Sequence, residues 1–420
     1  MSKHIQSIRG MHDFAPEEAK AMRDLEIKLQ SVLQSYAYQE IRTPVVEKLE
    51  LFKRSIGEVT DIVEKEMYAF DDKGGDWLAL RPEGTASTVR AGIQNGWLHN
   101  QQQRYWYMGP YFRRERPQKG RYRQFHQLGV ETFGIDGPDV DVELILLSQA
   151  MWGAVGLSRE NLELQINTLG DSDSRAKHRE DLIAYLSDFK NDLDEDANRR
   201  LHSNPLRILD SKNPGVQTIV ANAPMLIDYL DSEAKEHFTG FKQLLDKLEV
   251  KYIVNPTLVR GLDYYNRTVF EWVTKELGAQ GTICAGGRYD NLVKHMGGKS
   301  TPAAGFAVGL ERLYSLAVDQ QNSTVQKIDA YLVAVGDSAV NYGFSLVEKI
   351  RRELPNCAIQ MNCGGGSIKS QMKRADRSKA RLALIIGEDE VAKKVITVKS
   401  LQDKEPQKEL TEKDLLQLLK

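Results

Sequence analysis

Residues 109–134 have the sequence GPYFRRERPQKGRYRQFHQLGVETFG, which indicates the fold more clearly than any other part of the chain. Its residues 113–123 contain six cations and one anion, Glu115. The residues that follow are mostly apolar and include a single acid, Glu131. Side chains alternate in strand fashion over residues 105–115 and 121–134, and the Pro and Gly of the RPQKG between them are typical of a loop. The pattern predicts an antiparallel hairpin with a basic tip.

Residues two apart on a strand share a face, so the hairpin predicts which side chains meet. Gln127, Gly129 and Glu131 share one face of the second strand. Arg113 and Glu115 share one face of the first. If these faces coincide, Arg113, Gln127 and Glu131 project into one cleft, where the guanidinium would suit a phosphate or a carboxylate. Gly129 leaves room for a neighbour to approach the backbone. The alternative is a solvated hairpin.

The composition is that of an ordinary globular protein, with 41% hydrophobic and 28% charged residues and a net charge of −2 over 420 residues. This length predicts about two or three domains. Three cysteines without a Cys-x-x-Cys pair disfavour a disulfide framework and a zinc cluster. The sequence shows neither a signal-peptide block nor a bilayer-spanning run. We therefore expect a cytoplasmic protein that does not bind membranes.

Periodicity elsewhere predicts two differently built parts. Residues 16–38 have the apolar spacing of a helix, and the Pro-containing IRTPVVE of residues 41–47 is extended. Polar helical sequence over about 171–248 lies between two sets of strand signals, which predicts a helical insertion into one α+β core. Beyond a polar linker at 317–327, strands alternate with helices, which predicts a parallel α/β domain over 326–420.

LALRPEGTAS, residues 78–87, predicts a strand that meets a helix, and the helix covers residues 85–94. Glu83 lies at this turn, where its carboxylate would meet a cationic group of a ligand. Thr85 at the same turn has a simpler explanation, because threonine is a common helix N-cap.

Two later stretches place arginines at the ends of elements. RGLDYYNRTVFEW, residues 260–272, gathers an arginine, an acid and two tyrosines, although Arg260 and Asp263 could simply pair. AAGFAVGLERLYSLA, residues 303–317, predicts a strand and then a helix with Arg312 in its first turn. A helix N-terminus favours anions, so an arginine there suggests a ligand; pairing with a neighbouring acid is the alternative.

The sequence lacks both standard glycine cradles for nucleotide phosphates. MGGKS, residues 296–300, lacks the first glycine of a P-loop because that position holds Val293, and no Gly-x-Gly-x-x-Gly follows a strand. Arginines from several strands would therefore have to hold any phosphates.

Together these stretches resemble the histidyl-tRNA synthetase family of class II aminoacyl-tRNA synthetases. YQEIRTPVVEKLELF resembles motif 1, the hairpin stretch resembles motif 2, and GFAVGLERL resembles motif 3. RGLDYYNRTVFEW and AGGRYDNL resemble two signatures peculiar to the histidine branch, and RPEGTAS resembles the loop for the substrate amino group. The resemblance runs over nearly the whole chain.

The resemblance implies an α+β fold in two domains and a homodimer. A class II antiparallel sheet flanked by helices would occupy residues 1–325, with the helical insertion at about 171–248. A C-terminal α/β anticodon-binding domain would occupy residues 326–420. The implied reaction is ATP-dependent ligation of L-histidine to tRNA(His) through histidyl-adenylate, with release of AMP and pyrophosphate. We expect no editing domain.

Three arginines would handle ATP, according to the resemblance. Arg113 would contact the histidine carboxylate and the α-phosphate. Arg260 would stabilise charge at the α-phosphate during attack. Arg312 would hold the γ-phosphate end of a bent ATP and would itself lie near the adenine. Mg²⁺ would be held mainly by the ATP phosphates, without a metal site made by the protein.

The resemblance also implies the residues that bind histidine: Glu83, Thr85, Arg113, Gln127, Glu131, Tyr264 and Tyr265. Glu83 and Thr85 would take the ammonium group, with Gln127 in support. Glu131 and Tyr265 would bracket the imidazole, because a carboxylate and a phenol suit its two nitrogens. Tyr264 is the second choice for the ring contact.

Two basic patches are expected to meet tRNA. Residues 326–420 hold 17 Lys and Arg against 13 Asp and Glu, and six of these cations fall in SIKSQMKRADRSKAR. Without the resemblance, a solvated helix face explains them equally well. The expected tRNA contacts are Arg116, Lys119, Arg121, Lys369, Lys373, Arg374 and Arg377.

Three alternatives compete with a histidine–tRNA ligase. One is a non-catalytic regulatory subunit of ATP phosphoribosyltransferase, which typically lacks signature residues and the anticodon-binding domain. Another is a class II synthetase for glycine, threonine or proline, which should lack the histidine-branch pair. The third is a tRNA-binding module without catalysis, which the arginine set disfavours.

Overall fold

The structure is a computed structural model that describes residues 4–57, 60–118, 120–278, 281–317, 327–403 and 405–420. The chain divides into two units, Met1–Asn322 and Ser323–Lys420. Most of the predicted linker, residues 318–326, lies outside the described residues. Among the described helices, none has both the length and the hydrophobicity needed to cross a bilayer.

The first unit contains strands that form two sheets. These strands are β1 (Gln39–Glu40), β2 (Val46–Lys48), β3 (Tyr68–Asp71), β4 (Trp77–Leu80), β5 (Gln103–Phe112), β6 (Gln124–Phe133), β7 (Glu163–Thr168), β8 (Ile253–Val254), β9 (Asn266–Val273), β10 (Thr282–Arg288) and β11 (Ala303–Gly309). The larger sheet has the order β1-β5-β6-β11-β10-β9-β7-β8 and is antiparallel except at its two edges. The smaller sheet has the order β2-β4-β3. The predicted antiparallel α+β sheet is confirmed.

Helices flank this sheet. They are α1 (Pro16–Ser35), α2 (Leu49–Ile56), α3 (Thr85–Gln94), α4 (Pro138–Ala154), α5 (Ser172–Asp188), α6 (Glu195–Ser203), α7 (Pro214–Val220), α8 (Ser232–Lys247), α9 (Leu292–His295) and α10 (Leu310–Ala317). The helix predicted at residues 85–94 is confirmed. The one predicted at 16–38 ends earlier, because Ala37 takes a positive φ and the chain then enters β1.

Alternation along β6 separates the core from the cleft. Leu128 and Val130 pack with Leu29 of α1 and Trp152 of α4 in the main hydrophobic cluster. The intervening residues of β6, including Gln127, project from the opposite face. One face of the sheet is thus filled by helices, and the other is available for a site.

The hairpin formed by β5 and β6 is the predicted one, with a shorter first strand. Tyr107 pairs with Gly129, and Tyr111 pairs with Phe125. The strand ends at Phe112, so the prediction that Arg113 lies on a strand face is wrong. Arg113 is still tied to the hairpin, because its backbone N–H donates to the carbonyl of Arg123 at 2.9 Å.

The segment from α5 to α8 is helical, as predicted for the insertion. It has a hydrophobic cluster of its own, which includes Leu182, Leu186, Leu201 and Val216. This separate core explains how so polar a segment folds between β7 and β8.

The second unit has one five-stranded sheet, ordered β13-β12-β14-β15-β16. Its elements are β12 (Ala330–Ala334), α11 (Asp337–Glu353), β13 (Ile359–Met361), α12 (Ile368–Arg377), β14 (Leu382–Ile386), α13 (Glu388–Lys393), β15 (Ile396–Ser400), β16 (Lys408–Leu410) and α14 (Glu412–Leu419).

The first three strands of this sheet are parallel, but β15 and β16 are antiparallel, so the prediction of a parallel domain is wrong for them. The connection from β14 to β15 spans only residues 387–395. A parallel crossover needs about a dozen residues or more, so the chain returns antiparallel instead.

Candidate active site

One cleft in the first unit gathers most of the side chains singled out in the sequence. It is lined by Glu83, Thr85, Tyr107, Arg113, Arg121, Gln127, Arg260, Tyr264, Tyr265 and Arg312, among others. They come from distant parts of the chain: the turn before α3, the hairpin, the segment before β9, and the first turn of α10. Glu131 does not line the cleft wall; it lies directly beneath it.

Glu131 is a buried carboxylate held by hydroxyl groups. Its side chain accepts hydrogen bonds from Thr85 Oγ1 at 2.7 Å, from the Tyr107 hydroxyl at 2.8 Å, and from the Tyr289 hydroxyl. The residue is 1% exposed. Burial raises the pKa of Glu131 to about 8, against the lowering effect of the three hydroxyls. Among the described residues, the hydrogen-bond partners of this carboxylate include no cation.

Tyr107 and Tyr289 are functional candidates that the sequence reasoning missed. Tyr107 reaches Glu131 because glycines flank its ring: a Cβ on Gly129 would lie 2.1 Å from the ring Cζ, and one on Gly84 would lie 2.3 Å from it. The room predicted at Gly129 therefore serves Tyr107. Gly129, which pairs with Tyr107 across the hairpin, could have indicated the position of the Tyr107 ring. The sequence around Tyr289, AGGRYDNL, gives no indication that its hydroxyl contacts Glu131.

Glu83 caps α3. Its two carboxylate oxygens accept hydrogen bonds from the backbone N–H groups of Thr85, at 2.7 Å, and of Ala86, at 2.9 Å. Thr85 is therefore not the N-cap, and its hydroxyl is directed to Glu131 instead. Burial raises the pKa of Glu83, although the two N–H groups and the nearby Arg113 act in the opposite direction.

Arg113 is positioned by backbone and ring contacts. Its Nε donates to the carbonyl of Pro82 at 2.9 Å, and its guanidinium lies 5.4 Å from the centre of the Phe125 ring. One Nη lies 3.8 Å from the Glu115 carboxylate. Burial lowers the pKa of Arg113. This guanidinium is thus held in a partly dehydrated cleft, where an anion would interact with it strongly.

Arg260 pairs with the carboxylate of Glu271, so the alternative of a pair with Asp263 is wrong. Asp263 instead accepts a hydrogen bond from Asn204 at 3.2 Å. The Arg260 guanidinium also lies 5.4 Å from the centre of the Tyr265 ring. Its Nε is buried without a hydrogen-bond partner among the described residues. A buried donor left without a partner is unfavourable, which points to an acceptor that a ligand would supply.

Arg312 lies in the first turn of α10, as predicted. Its Nε donates to the carbonyl of Gly120 at 3.0 Å, and its Nη1 donates to the carbonyl of Thr282 at 2.6 Å. The neighbouring acid, Glu311, accepts hydrogen bonds from the backbone and ring of His126. The guanidinium therefore joins the tip of the hairpin to the floor of the cleft.

The donor set suits a polyphosphate. The guanidinium groups of Arg113, Arg121, Arg260 and Arg312 line one cleft, and the planar donors of a guanidinium match the oxygens of a phosphate. Within the described part of the chain, no group of three His, Cys, Asp or Glu side chains is placed to hold a metal ion.

Residues 10–313 match the family model described as histidyl-tRNA synthetase, and residues 329–420 match that of an anticodon binding domain. The chain belongs to the histidyl-tRNA synthetase family. This membership assigns it to the histidine–tRNA ligases, a class of aminoacyl-tRNA synthetases that generally uses ATP and a divalent metal.

Solved structures agree with this family and its fold. The histidyl-tRNA synthetase of S. aureus is 33% identical, with a TM-score of 0.79, and the match covers 99% of this chain and all of that one. A histidyl-tRNA synthetase from Nostoc is 20% identical, with a TM-score of 0.66 and coverage of 100% and 99%.

A third structure, from Bacillus halodurans, is described as an ATP phosphoribosyltransferase regulatory subunit/histidyl-tRNA synthetase. It is 21% identical, with a TM-score of 0.64 and coverage of 92% and 99%. At such identity it and the Nostoc protein show the fold alone.

The cations expected to meet tRNA lie in different surroundings in this synthetase-family chain. On the hairpin, Arg116 is exposed, whereas Arg121 contacts the Glu115 carboxylate and lines the cleft. Lys119 lies outside the described residues. In the anticodon-binding domain, the exposed cations on α12 are Lys369, Lys373, Arg374 and Arg377.

Arg374 is already engaged within its domain. Its Nε donates to the side chain of Asn362 at 2.8 Å, so it supports the glycine loop before α12. The other three cations of this helix have solvent around them and are the better candidates for phosphate contacts.

Proposed function

We propose that this protein joins L-histidine to tRNA(His) at the expense of ATP, through a histidyl-adenylate, and releases AMP and pyrophosphate. The observation that carries the proposal is the buried Glu131, held by three hydroxyl groups beneath a cleft lined with four arginines. We further propose that it acts as a cytoplasmic homodimer with Mg²⁺-ATP.

Histidine would be recognised through Glu131. An imidazole N–H would replace the Thr85 hydroxyl at the carboxylate, and Tyr265, with Tyr264 beside it, would contact the other ring nitrogen. The displaced Thr85 hydroxyl and the Glu83 carboxylate would then accept from the histidine ammonium, with Gln127 in support. A site built to hydrogen-bond a polar group rejects analogues lacking it by roughly 10⁴-fold or more.

Adenylation would need positioning and fixed positive charge rather than a side-chain nucleophile. The histidine carboxylate attacks the α-phosphate in line, a new P–O bond forms, and the bond to the bridging oxygen of pyrophosphate breaks. Arg113 would orient the carboxylate and the α-phosphate. The unpartnered Nε of Arg260 would bind the α-phosphate oxygen as charge grows on it, and Arg312 would hold the terminal phosphate.

Transfer would follow at the same cleft. A hydroxyl of the terminal tRNA ribose attacks the adenylate carbonyl, the ester bond forms, and AMP leaves. Arg116 at the hairpin tip would meet the acceptor end of the tRNA. The exposed Lys369, Lys373 and Arg377 would meet phosphates of the anticodon arm.

A regulatory role in ATP phosphoribosyl transfer is not favoured. Such a subunit has no need for a dehydrated arginine cleft, and this chain keeps both that cleft and an anticodon-binding domain.

ATP–pyrophosphate exchange without tRNA tests the proposal, with each of the twenty amino acids supplied in turn. We expect exchange with histidine alone. Exchange with another amino acid would overturn the imidazole pocket. A folded, Mg²⁺-supplied protein that gives no exchange would overturn the enzymatic proposal and favour the regulatory role.

A further inference from the structure

The N-terminal segment IRGMHDF, residues 8–14, lies against the tip of the hairpin, and the proposed function gives it no role. Most of the segment is exposed, but Gly10 within it is buried. Met11 N–H donates to the carbonyl of Ile8 at 2.9 Å, which closes a tight turn around Gly10. This turn places the carbonyl of Gly10 against the backbone of the hairpin.

The turn is bonded to the backbone that carries Arg113. The carbonyl of Gly10 accepts a hydrogen bond from the N–H of Arg123 at 2.7 Å, and the carbonyl of Arg123 accepts one from the N–H of Arg113 at 2.9 Å. The Arg123 side chain also donates to the carbonyl of Glu115 at 3.2 Å. One residue, Arg123, therefore links the N-terminal turn to the cleft arginine.

Only glycine fits this turn. Gly10 has a φ of +87°, and a Cβ there would lie 2.7 Å from Cγ of Pro117 and 3.1 Å from Cγ of Arg123. Ring contacts extend the attachment: His12 meets Tyr122 edge-on at 4.5 Å, and Phe14 meets His126 at 6.0 Å.

Tyr122 itself lines the cleft, and Arg312 holds Gly120 from the inner side. The hairpin tip is thus held by the N-terminal segment on one side and by Arg312 on the other.

We propose that residues 8–14 form a clamp that positions Arg113 for adenylation, so that Gly10 and His12 are positioning residues of the reaction. This inference rests on the proposed function. Displacing a reacting group by about 1 Å lowers rates by up to 10²-fold, so a loosened clamp should slow chemistry although it touches no substrate.

The test compares Gly10→Ala with Gly75→Ala in ATP–pyrophosphate exchange. Gly75 has the same φ of +87°, but a Cβ there meets nothing within 4 Å, so it controls for backbone strain alone. We expect Gly10→Ala to lower kcat by about 10- to 100-fold, while its melting temperature falls by only a few degrees. We expect Gly75→Ala to leave kcat unchanged.

Two further readouts separate positioning from general damage. His12→Ala should lower kcat, whereas His12→Phe should restore it, because phenylalanine keeps the edge-on ring contact. Trypsin should cleave Gly10→Ala faster than wild type within residues 113–123, since the tip is held less firmly.

Unchanged kcat and cleavage in Gly10→Ala would overturn the clamp while wild-type exchange still supports the proposed function. Absence of histidine-dependent exchange in the wild type would overturn the proposed function, and the cleavage comparison would still decide whether residues 8–14 hold the tip.

Discussion

Glu131 and Asp141 are both buried carboxylates of the same unit, but their surroundings differ. Asp141 is 2% exposed and lies 3.1 Å from Nη1 of Arg288, whose side chain is fully buried and also donates to two backbone carbonyls. Thr268 donates to the second Asp141 oxygen at 3.1 Å. Glu131 is buried equally well but is held by three hydroxyls.

This contrast shows how a buried acid is kept available for a ligand. The charge of Asp141 is neutralised by Arg288, so this pair can contribute structure but has little left for a substrate. Burial raises the pKa of Glu131 to about 8, and the three hydroxyl groups lower it only in part, so its carboxyl can share a proton with an incoming base. The cleft is thus less stable than it could be, and this is consistent with a functional site.

Glu131→Gln should produce the largest effect. We expect kcat/KM for histidine to fall about 10³- to 10⁴-fold, because the amide cannot share the proton of the imidazole. Pyrophosphate exchange measures it, and KM for ATP should stay unchanged. Asp141→Asn is the matched control: it should lower stability and leave KM for histidine as it was. If both variants lower kcat/KM for histidine by the same factor, the proposed difference between Glu131 and Asp141 is wrong.

Arg288→Met should destabilise the first unit by about 3–5 kcal/mol, because it leaves Asp141 buried without its cation. Urea denaturation measures the change. The double variant with Asp141→Asn should be more stable than Arg288→Met alone, because the buried carboxylate that has lost its arginine is then removed as well. If the two substitutions are simply additive, the assignment of Arg288 and Asp141 as a coupled pair is wrong.

Arg260→Ala should lower kcat for exchange by about 10²- to 10³-fold while histidine still binds, because it removes a donor aimed at developing charge. Isothermal titration with histidine measures the retained affinity. Glu271→Gln serves as the control for the lost ion pair. Retained exchange in Arg260→Ala would remove Arg260 from the mechanism.

The smallest effect concerns stability and pH. The pKa of Glu131 rises from 4.5 to about 8 on folding, so between these values the native state binds more protons than the unfolded state. Raising the pH through this window therefore destabilises the wild type. The variant Glu131→Gln lacks this loss. We therefore expect its melting temperature minus that of the wild type to become larger by a few degrees as the pH rises from 5 to 8. Parallel curves would contradict the raised pKa.

The sequence predicted the local parts of the site and missed the long-range ones. Alternation placed Gln127 and Glu131 on one face, and a strand-to-helix transition placed Arg312, because both signals lie within a few residues. The pairing of Arg260 with Glu271 depends on where β9 begins relative to the neighbouring elements. The link from Tyr289 to Glu131 depends on the order of β6, β11 and β10 in the sheet. No local periodicity encodes either.

The fold shows the same limit. Strand and helix alternation after residue 326 predicted the parallel strands of the second unit. It did not predict the return of β15, where a connection too short for a crossover overrides the pattern.

The most direct measurement is the affinity for histidine, by isothermal titration, across pH 5.5 to 9 in wild type and Glu131→Gln. Because the imidazole titrates near 6.5 and Glu131 near 8, the pair holds one shared proton only between these values. We predict a wild-type maximum in this window with weaker binding on both sides, and a flat, weak profile for Glu131→Gln. Parallel profiles in the two proteins would contradict the claim that Glu131 reads the imidazole.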